Sequence, residues 1–259
     1  MGNLLRYLFV LVLFWIFVFL LQQTSFLFFD TARLEGIAAE AIRHSYIRAL
    51  PMDLATACYL TLPVALGGLT LLFKEFRGPR NGIRIFLVAM VVNSFFVHVV
   101  DIGLFGAWGT KVNHKALSYL VYPEEAMHGA TGAPIAQLII ILLAEVAIAL
   151  LVVFRIDHQR SFRTERPWAK WTAPILVPAL LLIGMRGGLQ PFPIDRSWSY
   201  HSSHPILNLG ALNGTWNVIV LLAEPPEISA NPHAFMTKEE ADQRFMALHA
   251  KCDGSRKRS

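Results

Sequence analysis

Five long apolar runs set the pattern of the chain: Leu4–Phe29, Met52–Phe73, Ile83–Ala107, Pro134–Phe154 and Trp171–Met185. Each of the first four supplies the roughly 20 residues an α-helix needs to cross a bilayer's hydrocarbon layer. The fifth is short, carries Pro174 and Pro178, and must borrow length from its ends. The first run has Arg6 near its start, is longer than a signal-peptide core and lacks a small-residue cleavage site, so it reads as a retained anchor.

The polar stretches between the runs alternate in character. "KEFRGPRNGIR" (Lys74, Arg77, Arg80, Arg84) and "RIDHQRSFRTERPWAK" (Arg155, Arg160, Arg163, Arg166, Lys170) are short and basic. The other two, 30–51 and 108–133, are longer and poorer in positive charge for their length, although Arg33, Arg43 and Arg48 lie in the first. The positive-inside rule then puts the N-terminus in the cytoplasm and the chain after Met185 outside.

Beyond the fifth run the pattern weakens. "HPILNLGALNGTWNVIVLLAEPPE" spaces Ile206, Leu209, Leu212, Trp216 and Val220 helically, with Asn208, Asn213 and Asn217 interrupting. This predicts an interfacial amphipathic helix on the outer leaflet, with a sixth span over 206–223 as the alternative. "EPPEISANPHAF" reads as an extended linker and "TKEEADQRFMALHAK" as a short soluble helix. The fold expected is all-α: a polytopic membrane protein with five transmembrane helices over 1–185, N-in and C-out, then interfacial and linker helices over 186–259.

Composition agrees with a membrane class. Charged residues make up 16% of the chain against about a quarter in soluble domains. The net charge of +5 sits in the short loops, where it acts as a topology signal, so no nucleic-acid partner is implied. Two cysteines, Cys58 and Cys252, make neither a disulfide framework nor a metal knuckle.

Charges inside apolar spans are costly and mark candidate sites. Asp53 opens the second run, Asn93, His98 and Asp101 lie in the third, Glu145 lies mid-run in the fourth, and Arg186 closes the fifth. His98 and Asp101 share a helix face at i, i+3. His98 falls roughly 14 Å and Glu145 roughly 16 Å below the outer end of its helix, so these groups gather in the outer half of the bundle. The candidate lipid-binding set is Asp53, His98, Asp101, Glu145, Arg186 and Gln190, with Arg186 as partner of a headgroup phosphate. Solvated or purely structural roles are the competing readings: headgroup contacts for Asp53 and Arg186, packing for His98, a protonated carboxyl for Glu145.

The chain has no Walker loop, GxSxG elbow or HExxH motif. Only His98 lies plainly inside a span, which leaves no pair for a b-type haem. "HSSHP", with His201, His204 and nearby Asp195, lacks the further ligands of a zinc site. Glu124 and Glu125 read as a solvated pair in an outer loop.

Five segments occur in a suggestive order: "PMDLATACYLTLP", "FGAWGTKVNHKALSYLVYPEEA", "RGGLQPFPID", "NLGALNGTWNVI" and "NPHAF". In order and spacing the chain resembles the membrane portion of lipoteichoic acid synthase-like proteins, a branch of the alkaline phosphatase and sulfatase superfamily. The resemblance implies a bacterial cytoplasmic (inner) membrane protein in which five helices and a linker precede an extracytoplasmic catalytic domain. Such proteins transfer phosphoglycerol or phosphoethanolamine from phosphatidylglycerol or phosphatidylethanolamine to a glycan or glycolipid. They use a threonine nucleophile and manganese or another divalent metal. The chain ends about where that domain should begin, so the resemblance carries over no catalytic or metal residue, and this portion is expected to be inactive alone. The alternative is a stand-alone membrane transport or binding protein with His98, Asp101 and Glu145 along a path, although inverted repeats are not apparent.

Overall fold

The computed structural model describes residues 2–73, 77–119, 134–156, 162, 167–188, 192–224, 236, 237 and 239–246. Gln190, Glu124, Glu125 and residues 225–235 of the expected linker lie outside them. The described residues are helical, without a strand. Helices α1 (Gly2–Phe29), α2 (Ala39–Thr70), α3 (Arg77–Trp108), α4 (His114–Ser118), α5 (Ile135–Ile156), α6 (Pro167–Met185), α7 (Pro205–Ala211) and α8 (Gly214–Ala223) follow in order, with 3-10 turns at Thr31–Leu34 and Arg196–Ser199.

Four of these helices, α1, α2, α3 and α5, are long and apolar enough to cross a membrane. The fifth expected span forms as α6, but its apolar part, Lys170–Met185, covers only about 24 Å at the α-helical rise, short of a hydrocarbon layer of about 30 Å. The expected outer loop over 30–51 also differs from the reading above. All of 39–51 is the start of α2, which continues through Pro51 into the apolar run. The helix holds there because the face carrying Ser45, Ala49 and Met52 is buried. Proline in a membrane-type helix is tolerated where neighbouring groups satisfy the freed carbonyl.

Small residues let the helices approach closely, since apolar surface gains little by leaving lipid and packing must do the work. Trp15, Val18, Ala57, Val64, Leu87, Val91, Ala149 and Val177 form one buried core drawn from α1, α2, α3, α5 and α6. A Cβ on Gly184 of α6 would collide with Cys58 Sγ of α2, and one on Gly68 would stand 2.7 Å from Leu4. Helix α5 buries only Leu138, Glu145, Ala149 and Val153, a single stripe at helical spacing, so Glu145 is on the one face that meets the bundle.

The end of α6 is a Schellman cap. Gly188 N–H donates to Ile183 O (3.3 Å) and Gly187 N–H to Gly184 O (2.9 Å), with φ of 85° and 124° at Gly187 and Gly188. Ile194 N–H then donates to Arg186 O, turning the chain back.

The segment expected as one interfacial helix is instead two short helices. Helices α7 and α8 meet at 76° across Leu212 and Asn213. Leu212 has extended backbone, and Asn213 caps α8 by accepting from Trp216 N–H at 3.0 Å. Ile206 and Leu207 join a core with Phe26, Leu27, Ile102 and Phe105, while Leu212 and Trp216 join Met52, Ala55 and Ile194. By contacts the chain divides into two units, 1–222 and 223–259. In the second, Thr237 and Glu240 form a reciprocal capping box, each backbone N–H donating to the other's side-chain oxygen at 3.3 Å, ahead of a helix over 239–246.

Candidate polar site at the helix break

The break between α7 and α8 seats its polar groups on charged side chains of α2 and α3. Asp53, at the start of the apolar part of α2, is 3% exposed, and its Oδ1 accepts from Asn213 Nδ2 at 2.7 Å. Asp101, on the inward face of α3, accepts at Oδ1 from Val112 N–H at 2.8 Å. Gly214 begins α8 so close to this carboxylate that a Cβ would collide with Asp101 Oδ2. Glycine is therefore required there by the approach of backbone to carboxylate.

Lys111 closes the group. Its Nζ donates to Leu212 O (2.7 Å), stands 3.7 Å from Asp101 Oδ2, and lies 4.6 Å from the centre of the Phe26 ring. Burial lowers the Lys111 pKa from the ordinary lysine value, against the opposing pull of Asp101 and Asp53. Two carboxylates face one ammonium and the N-terminal end of α8, whose dipole favours negative charge. The ammonium offsets one of the two carboxylates and the helix end part of the other.

A shell of neutral polar groups surrounds these charges. Gln22 Nε2 donates to Ser94 Oγ (2.9 Å), which meets Thr215 Oγ1 at 2.8 Å. Gln23 Nε2 donates to Ser45 Oγ (3.1 Å), and Ser45 Oγ donates to Leu207 O. Asn217 Nδ2 donates to Val112 O (2.7 Å). Ser94 and Ser45 thereby tie α8 and α7 to α3 and α2, Gln22 and Gln23 bind those two serines from α1, and Asn217 joins α8 to the 109–113 turn.

The charges line a small cavity with Phe19, Gln22, Gln23, His98 and Gly210, holding about 20 Å³ of space for the centre of a water molecule. That is room for about one water or one hydroxyl or ammonium end. Among the described residues, three buried acceptor atoms of its lining side chains find no hydrogen-bond donor: Asp53 Oδ2, Asp101 Oδ2 and Gln23 Oε1. The unmet capacity is for donors.

Three of the expected site residues, Asp53, His98 and Asp101, therefore line one cavity. Glu145 belongs to an adjoining group: His98 Nε2 is 2.7 Å from Ser25 Oγ and 3.7 Å from Glu145 Oε2. Arg186 is exposed at the α6 cap and does not line the cavity. Lys111, Asn213, Gln22, Gln23 and Gly214 were not singled out as site residues. Gln22 and Gln23 had a signal, two adjacent amides inside an otherwise apolar run. Lys111 had none, because a lysine just past a span reads as a headgroup contact. Among the described residues no group of three or more His, Cys, Asp or Glu side chains could hold a metal ion. No protein-family model and no solved structure matches the chain.

Proposed function

We propose that the protein is a membrane-anchoring and lipid-presenting module of an extracytoplasmic phosphotransferase acting on phospholipid headgroups in the bacterial cytoplasmic membrane. In this reading the chain runs N-in and C-out, and the resemblance to lipoteichoic acid synthase-like membrane portions supplies the family. The observation that carries the headgroup role is the cavity wall with three unmet acceptors, Asp53 Oδ2, Asp101 Oδ2 and Gln23 Oε1. Such a wall suits the hydroxyl of a glycerol headgroup or the ammonium of an ethanolamine headgroup, either of which fills a water-sized space with donors. A divalent metal, phosphoryl transfer and the glycan acceptor belong, in this reading, to a catalytic domain downstream.

The test is native mass spectrometry of the protein released from bilayers of mixed phosphatidylglycerol, phosphatidylethanolamine and diacylglycerol. Preferential retention of the phospholipids, with the preference reduced in Gln23→Leu, supports the role. Equal retention of diacylglycerol overturns it.

A second reading, a stand-alone transport or binding protein, draws on the contact series from His98 through Ser25 to Glu145. It predicts proton or cation flux in proteoliposomes that is lost in His98→Leu.

A further inference from the structure

A second set of unmet polar atoms lies where α2 meets the Arg196–Ser199 turn, and it has the opposite character. Among the described residues, Arg48 Nε and Trp198 Nε1 are buried N–H donors without a hydrogen-bond acceptor, and His201 Nε2 is buried and unbonded. Two contacts bring these residues together. The Arg48 guanidinium lies 4.9 Å from the Trp198 ring centre and its Nη2 reaches Trp198 O at 3.5 Å. One turn earlier on α2, the His44 ring stands 5.5 Å from that of His201. His44 and Arg48, at i and i+4 of one helix face, thus line up with His201 and Trp198.

The local fold fixes these groups. Asp195 Oδ1 caps the turn, accepting from Ser197 N–H (2.8 Å) and Ser197 Oγ (2.5 Å). Asn208 spends its amide on the loop, accepting from His201 N–H and Ser202 N–H and donating to Ser202 O. His201 Nδ1 donates to Ser199 O at 2.8 Å. This leaves Nε2 an acceptor in the neutral ring and a donor to an anion in the protonated ring. Arg196, in the same turn, donates from Nε to Asn217 Oδ1 at 3.1 Å.

A buried N–H without an acceptor costs free energy that a bound acceptor recovers. A guanidinium, an indole N–H and an imidazole suit a tetrahedral oxyanion, which takes several charge-assisted hydrogen bonds at once. We infer that Arg48 and Trp198, with His201 near them, form a binding site for a phosphate group. The inference rests on the lipid-presenting role proposed above and assigns the headgroup phosphate to this turn, in place of Arg186. The same chemistry would take a free phosphate ion, so the two sources are separated by experiment.

The full chain in detergent is titrated with inorganic phosphate, followed by ³¹P line broadening, and with dihexanoyl-phosphatidylglycerol, followed by native mass spectrometry. Variants are Arg48→Gln, Arg48→Lys and Trp198→Phe, the last removing only the indole donor while keeping a ring. Each variant's thermal midpoint is checked against the parent. The site predicts that Arg48→Gln weakens binding about tenfold, as loss of a charge-assisted hydrogen bond does, and that Trp198→Phe weakens it severalfold with an unchanged midpoint. Binding of both probes identifies the phosphate group alone as the ligand. Binding of the lipid only identifies a headgroup in its lipid context. Should the parent bind lipid while all three variants bind equally well, the site is overturned and the lipid-presenting role stands. If the parent binds neither probe, both fall.

Discussion

Asn213 Nδ2 donates to Asp53 Oδ1 at 2.7 Å, joining side chains 160 residues apart in the chain. The same Asn213 accepts at Oδ1 from Trp216 N–H and so caps α8. One amide therefore starts a helix and fastens it to a buried carboxylate. Asn213→Ala is expected to lose the cap, about 1 kcal/mol, and to leave Asp53 without its partner, a further loss of about 1–3 kcal/mol. Asn213→Asp keeps the cap but puts a second carboxylate against Asp53, and should be at least as damaging. Thermal unfolding in detergent, followed by circular dichroism, measures both.

Lys111 and Asp101 form a buried pair at 3.7 Å, with the lysine also bonded to Leu212 O. Lys111→Met should destabilise the protein by about 3–5 kcal/mol, because Asp101 remains buried with less compensation. Adding Asp101→Asn should recover a substantial part of the loss. A double-mutant cycle on unfolding midpoints gives the coupling, and simple additivity of the two changes would contradict the pairing.

Much of this architecture was legible in the sequence, and the reasons divide by element. The long runs gave α1, α2, α3, α5 and α6 because apolar length is a direct consequence of the bilayer's thickness. "RGG" gave the end of α6, since two glycines allow the positive φ of a Schellman cap. Asp53, His98 and Asp101 were found because charge in an apolar run stands out. The α7–α8 pair was missed: Ile206, Leu209, Leu212, Trp216 and Val220 have the spacing of one helix, and periodicity does not register a 76° bend. Asn208, Asn213 and Asn217 looked like interruptions of an apolar face, yet all three are buried and bonded. Asn208 bonds the loop at 201–202 beside it, while Asp53 and Val112, the partners of Asn213 and Asn217, lie far away in the chain, where local pattern does not reach.

The close contact of α6 with α2 offers a cleaner packing test. Gly184→Ala adds a Cβ that collides with Cys58 Sγ, and overpacking of this kind costs about 1–3 kcal/mol. Cys58→Ala removes the sulfur, so the double variant should regain most of the lost stability. If Cys58→Ala gives no rescue, the contact is not where the strain arises.

The proposed N-in, C-out orientation predicts a labelling pattern. In a Cys58→Ala, Cys252→Ala background, Thr237→Cys should react with a membrane-impermeant maleimide in right-side-out vesicles, and Asn3→Cys should react only after the vesicles are opened. The reverse pattern would invert the topology.

The lipid-presenting role is tested most directly by photo-crosslinking. The full chain is reconstituted with phosphatidylglycerol carrying a photoreactive group on its headgroup, irradiated, and mapped by peptide mass spectrometry. The account predicts adducts concentrated at 44–53 and 196–214, displaced by excess unlabelled phosphatidylglycerol and reduced in Arg48→Gln. Adducts spread evenly along the exposed faces of the spanning helices, with no displacement, would contradict it.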